Sequence, residues 1–327
     1  MQNRPLTGKV PALAAVVVAL VLPLLVRDSY WQHLMVMTGI SIISASAMNL
    51  LLGFAGQLNL AHGTFFGVGA YATALLIQKA GFPFWAALPV SCMMTASLGV
   101  LTGIPTLRTR GHYFPIATMC LGIAIYYVIA RWDDFTGGAR GIFGVPRPEP
   151  LAVPFLGELT FESTIACYYL VILFAIFTVA VIAALVKYMS GRRLIAIRGN
   201  ETLAQALGID TMREKVICFA VSTFFAGLAG GLYAGYMGTL MAEQAHFLVS
   251  FEILLFVMIG GIGTIAGPVF GAVLLYYMIE ALHALGEFRL IIFGVTLILL
   301  LRFMPYGFMG AIGQLAYRHK TIKGSKS

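Results

Sequence analysis

The sequence predicts an all-α polytopic membrane protein of about ten transmembrane helices, some broken by glycine or proline, with a weak internal repeat. Three observations lead there. Of the 327 residues, 60% are hydrophobic and 10% charged, against roughly 45–50% and 25% in soluble domains. The apolar residues fall in runs near the roughly 20 residues that cross a 30 Å hydrocarbon core. The 21 lysines and arginines, source of the +8 net charge, sit in short clusters between those runs. Such clustering follows membrane topology and does not suggest a nucleic-acid-binding patch.

The spans follow in order. Residues 1–10 are a cytoplasmic N-terminus, and Pro11–Val26 is the first span of a transmembrane domain running over 11–305. It ends at Arg27 and Asp28 with no small-x-small cleavage site, so it reads as a retained helix rather than a signal peptide. His33–Leu52 is the second, and Leu58–Gln78 the third despite Asn59, His62 and its glycines. Phe84–Ile104, Tyr113–Ala130, Ile165–Lys187 and Val216–Met237 follow. Phe251–Leu282 is too long for one helix and is interrupted by Gly260, Gly261, Gly263, Gly267 and Pro268, so it divides in two. Leu290–Phe303 is the tenth, and 306–327 a basic cytoplasmic tail.

Charge tests this count. With the N-terminus inside, only Arg27, Lys79, Arg131, Arg140, Arg147 and Arg289 fall outside, and the other 15 of the 21 basic residues are cytoplasmic. That is the expected bias, and it places the basic tail inside only if the 251–282 region crosses twice.

Two polar loops stand out. The outer loop, 132–163, carries Asp133, Asp134, the glycine-rich TGGARG of Thr136–Gly141 and four prolines, and is expected to wrap over the outer face. The inner loop, 190–214, holds a short helical pattern, Glu201–Leu207, stopped by Gly208. A helix so short is marginal alone and needs something to dock on.

Candidates for lining a path are Asn49, Gln57, Asn59, His62 and Glu252, because polar groups at membrane depth are costly unless they face protein or water. The alternative for GFAGQLNLAHGTFFGVGAYA, Gly53–Ala72, is that Gly63 and Gly67 pack helices while its polar groups bond across the interface. GGIGTIAGPVFGA, Gly260–Ala272, echoes its glycine spacing, as repeats framing a transport path do. Gly227, Gly231 and Gly235 read as helix packing. Cys92, Cys120, Cys167 and Cys218 lack metal-ligand spacing and are expected to be reduced and buried. No phosphate loop, GxSxG or HExxH is present, so no catalytic residue, metal site or bound cofactor is expected, and any ATP must be used by another chain.

Five ordered motifs resemble one family. GFAGQLNLAHGTFFGVGAYATALL (Gly53–Leu76), RTRGHYFPIATMCLG (Arg108–Gly122), TGGARGIFGVP (Thr136–Pro146), AIRGNETLAQALGID (Ala196–Asp210) and GGIGTIAGPVFGA (Gly260–Ala272) are similar to the LivM-type inner-membrane permeases of ABC importers for branched-chain amino acids. The resemblance spans about 34–305. It implies a homologous second permease, two cytoplasmic ATPases that use ATP and Mg, a periplasmic solute-binding protein, and a bacterial inner membrane whose lipids surround the chain.

The inner loop resembles the family's coupling helix, which assigns Arg198, Asn200, Glu201, Ala204, Gln205, Ala206 and Gly208 to ATPase contact. Gln57 and Asn59 depart from the usual apolar or serine residues there. Related permeases for urea or short-chain amides share much of the pattern and remain an alternative for the solute. The rival from another class is an ion-coupled secondary carrier working alone, with Asn59, His62 and Glu252 as ligands.

Overall fold

The computed structural model describes residues 17–23, 26, 28–109, 111, 113–153 and 157–281, and beyond them 294, 302 and 307–309. Its helices are α1 (Ser29–Asn49), continued by a π-helical turn at Leu50–Phe54, then α2 (His62–Gln78), α3 (Phe84–Thr106), α4 (Tyr113–Arg131) and α5 (Thr164–Lys187). After them come α6 (Met189–Gly199), α7 (Glu201–Ala206), α8 (Thr211–Met237), α9 (Phe247–Gly260) and α10 (Gly267–Ala281). Short polar side chains set several starts by accepting an otherwise orphaned backbone N–H. Asp28 accepts from Tyr30 before α1, Ser163 from Ala166 before α5, Asn200 from Leu203 before α7, and Asp210 from Arg213 before α8.

The chain runs back and forth between two ends. At the first lies 132–163, where β1 (Ile142–Phe143) pairs antiparallel with β4 (Thr239–Leu240), and β2 (Leu151–Val153) with β3 (Gly157–Leu159). Gln78 donates to the Phe143 carbonyl and Trp85 to that of Glu149, which fixes the end of α2 and the start of α3 there. Tyr30 bonds Glu280, so α1 starts and α10 finishes at this end as well. At the second end are α6, α7, the π turn and the 261–264 turn.

Five helices are long and apolar enough to cross a membrane: α1 with its π turn, α3, α4, α5 and α8. They are not equivalent. Within the most apolar stretch, 89% of residues are buried in α1 and 67% in α8, against 39%, 22% and 33% in α3, α4 and α5. Thus α1 and α8 form the centre, with α8 packed between α1 and α2, and α3–α5 present apolar faces outward as lipid contact requires. Small residues let the centre close. A Cβ on Gly69 of α2 would overlap Gly227 Cα of α8, so the two backbones touch. Gly63 and Gly67 meet Ser250 and Ala245 in the same way, the packing alternative for this pair.

Several boundaries move. The second expected span starts at Ser29 because Asp28 caps it, and the third becomes helical only at His62 because Asn59 Oδ1 accepts from Ala61 N. The 251–282 region divides as expected, but α9 begins at Phe247, and Gly261 and Gly263, with φ of 121° and 77°, turn the chain into α10. Cys92, Cys167 and Cys218 are buried and unpaired; Cys120 is exposed on α4, contrary to expectation, because that face has no protein neighbour. Residues 1–10, and most of 11–26, 290–303 and the 306–327 tail, lie outside the described residues.

Candidate functional site

Fourteen residues of α9 rise about 21 Å, short of a hydrocarbon core of roughly 30 Å. The connection from α8 makes up the difference. After Gly238 ends α8 in the left-handed conformation, β4 and a 3-10 turn at Ala242–Ala245 descend until Ala245 packs on Gly67, the sixth residue of α2. Non-helical backbone therefore reaches mid-depth, where it is tolerated beside a cavity.

That cavity holds about 250 Å³. Its apolar wall is Met37, Ile40, Phe66, Val249, Ile253 and Phe256, and its polar groups are Ser41, Ser44, Tyr233, Glu243, Gln244, Glu252 and Tyr276. Gln244 is held in place, its Oε1 accepting from Met241 N at 2.8 Å and its Nε2 3.3 Å from the Tyr233 hydroxyl. Ser44 is buried, and among the described residues its hydroxyl has no partner. Both ion pairs found among the described residues, Arg193–Glu214 and Lys215–Glu201, lie elsewhere.

Of the path candidates, Glu252 lines this cavity and Asn49, Gln57, Asn59 and His62 do not. His62 is wholly buried beside it, with Nε2 3.0 Å from the carbonyl of Ser44, the residue whose other side faces the cavity. Asn59 is buried in the turn before α2, where its Oδ1 accepts from Ala61 N, and Gln57 is half-buried in the same loop. Asn49 is a fastener: its Nδ2 donates to Thr264 O at 2.8 Å and its Oδ1 accepts from Gly263 N at 2.9 Å. Sequence reasoning passed over Glu243 and Gln244; the signal was a polar AEQAH placed between two apolar runs.

Asn49 belongs to a knot at the second end that joins the two glycine motifs. A Cβ on Gly53 would overlap Asn49 Oδ1 and lie 2.6 Å from Gly263 N, so only glycine lets the π turn meet the 261–264 turn. Arg198, from the end of α6, donates to the Gly53 carbonyl and lies over Gly56.

The six residues of α7 are held from several sides. Asn200 caps its start, Gly208 at φ +82° ends its last turn, and the Ile209 N–H returns to Ala204 O. Gln205 Nε2 donates to Thr211 Oγ1 at 2.8 Å. Lys215 Nζ, on α8, is buried 2.6 Å from Glu201 Oε1. Of the residues assigned to ATPase contact, Ala204 is buried in its own chain, and Arg198, though exposed, is engaged with Gly53. Outward are Gln205, Ala206, Gly208 and two apolar residues that the assignment omitted, Leu203 and Leu207, 58% and 74% exposed.

The sequence matches the family described as branched-chain amino acid transport system / permease component over residues 30–301. It is 30% identical to the high-affinity branched-chain amino acid transport system permease protein LivM of Escherichia coli K12, over 89% of this chain and 73% of that one. It is 31% identical to LivM of Salmonella typhimurium, over 96% and 78%. Similarity extends at 24% identity to the galactose/methyl galactoside import permease protein MglC of Escherichia coli, over 94% and 93%. No solved structure gives a significant match.

Proposed function

The chain belongs to the permease components of branched-chain amino acid transport systems, and from that membership we propose that it is one of two membrane subunits of an ATP-driven importer for branched-chain or related amino acids. The observation that carries the solute assignment is the 30% identity to LivM over most of the chain, against 24% to the galactoside permease. A homologous permease completes the path, a periplasmic binding protein delivers the solute, and two cytoplasmic ATPases use ATP and Mg. The chain is a permease and not an enzyme, and it lies in a bacterial inner membrane with both termini cytoplasmic. The ion-coupled carrier has no family support of this kind.

The geometry supports a lever. Closure of the ATPases pushes on α7, whose exposed Leu203 and Leu207 form the apolar docking face. Through Lys215–Glu201 the push reaches α8, and through Arg198 it reaches Gly53 and the 261–264 turn, where α1 and α9 end. Both helices line the cavity. A displacement at α7 thus becomes a change in the cavity walls, an instance of packed elements shifting together.

The test is co-purification of the tagged chain from native cells, followed by uptake in liposomes. Wild type should retain an ATPase and take up leucine, and the Leu203→Asp/Leu207→Asp variant should insert in the membrane and lose the ATPase. Retention of the ATPase by that variant refutes the docking face. Uptake of galactose or urea in place of leucine refutes the solute assignment.

A further inference from the structure

We propose that Arg108, Lys187, Arg192 and Arg213 form a patch at the second end that binds the phosphates of anionic lipids, in the leaflet that the reading above places on the cytoplasmic side. The four come from different elements: just past the end of α3, the end of α5, the start of α6 and the first turn of α8. One apolar cluster gathers them. Leu107, Val186 and Met212, each a chain neighbour of one cation, pack in it with Leu194, two residues beyond Arg192. At the bend between α5 and α6 the Arg192 N–H returns to Tyr188 O at 3.4 Å, so Lys187 and Arg192 flank one turn of chain.

Charge at this end does not balance. Its carboxylates among the described residues, Glu201, Asp210 and Glu214, are already used: Glu201 pairs with Lys215, Glu214 pairs with Arg193, and Asp210 caps α8 by accepting from Arg213 N. Arg198 is engaged with the Gly53 carbonyl. Arg108, Lys187, Arg192 and Arg213 are exposed, and among the described residues their side chains have no ion-pair or hydrogen-bond partner. At the opposite end Lys79 donates to Asp134 O and lies over the Phe135 ring, and Arg131 lies over Tyr127.

An independent observation says what the four cations face. Ile104, one turn before Arg108 on α3, and Ile217, one turn after Arg213 on α8, are both exposed, and each lies on the membrane side of its cation. The helices α3, α5 and α8 are each long and apolar enough to cross a bilayer. The patch therefore stands where the apolar surface of three spans meets water, which is the level of the headgroup phosphates. Exposed Tyr188 beside Lys187 and exposed Ile195 one turn after Arg192 add the apolar contacts of an interfacial helix. An ATPase docked on α7 has no reach to isoleucines inside the bilayer.

The test uses the full chain in phosphatidylcholine vesicles. In a Cys120→Ser background, which removes the exposed thiol, Tyr188→Cys carries a bimane within the patch. Phosphatidylglycerol bearing a nitroxide near its headgroup should quench the bimane with an apparent affinity at least about fivefold above that of phosphatidylcholine bearing the same nitroxide, the factor that one basic residue near an anionic surface is worth. Raising salt from about 0.05 to about 0.5 M should abolish the difference. The Arg108→Gln/Lys187→Gln/Arg192→Gln/Arg213→Gln chain should quench equally with both lipids, and Arg108→Lys/Arg192→Lys/Arg213→Lys, which keeps every charge, should retain the preference. Equal quenching at low salt with the cations intact, or a preference that survives high salt or neutralisation, overturns the patch. Loss of the ATPase from the neutralised chain purified from native cells also overturns it, by assigning the cations to protein docking. The vesicle result leaves the importer reading standing either way, because neither solute nor ATPase takes part in it.

Discussion

Gly53 and Gly81 show how differently two glycines are constrained. Around Gly81, at φ +67°, nothing lies within 4 Å of the place a methyl would take, so Gly81→Ala meets only the left-handed backbone penalty of roughly 1–2 kcal/mol. At Gly53 a methyl meets the side-chain amide oxygen of Asn49 and the backbone of Gly263, and a backbone held in a turn cannot withdraw. Gly53→Ala should cost about 1–3 kcal/mol by overpacking, seen as a lower unfolding midpoint in detergent, and should slow uptake as well, since Arg198 holds the same residue. Gly81→Ala should leave uptake unchanged. Sequence reading singled out Asn49 and Glu252 because polar residues inside apolar runs are conspicuous, but only Glu252 lies on the cavity wall. Glu243 escaped it because charge in a short loop is ordinary. Only the descent of that loop, which sets Ala245 on Gly67, brings Glu243 to the cavity wall.

Among the elements, α7 was the most legible, expected over Glu201–Leu207 and found over Glu201–Ala206. Asn200 and Gly208 mark its ends by mechanisms that act within a few residues, capping and a left-handed stop. Its faces were not legible, because six residues make too few turns for a hydrophobic stripe to declare itself. The inward turn of Ala204 follows from how α7 lies against α6 and α8, which its own six residues do not encode. The ion pair with Lys215 gives a prediction at this scale. Glu201→Gln leaves a buried ammonium without its counter-charge, so α7 should loosen from α8. Amide hydrogen exchange across 201–206 should quicken and uptake should fall severalfold, with insertion unaffected. Unchanged exchange would show that the caps alone hold the helix.

Across the whole molecule, the length of the apolar runs made five membrane-crossing helices legible, and the glycines made the division at Gly261 legible. Which helices occupy the centre was not legible, since every span is apolar all round and lipid is as apolar a neighbour as protein. The distinction has a measurable consequence. Leu101→Ala and Leu173→Ala, on outward faces that are 71% and 64% exposed, should change stability by no more than about 0.5 kcal/mol. Phe65→Ala and Phe219→Ala, at fully buried positions in edge-to-face contact, should cost roughly 3–5 kcal/mol. Thermal unfolding in one detergent would separate the two classes, and equal losses would mean that the outer ring is packed against protein.

The β1–β4 pair also dictates an order of assembly. Ile142 meets Leu240 across the sheet, so the strand made first must wait for nearly a hundred further residues to be synthesised. At about 5–20 residues per second that delay lasts roughly 5–20 s. During it the nascent Ile142–Phe143 strand has no mate, while α5 and α8 are threaded into the bilayer one after the other. The pairing then acts as a clasp, shut late in biogenesis, and a ribosome stalled before residue 240 would leave the first end open to proteases.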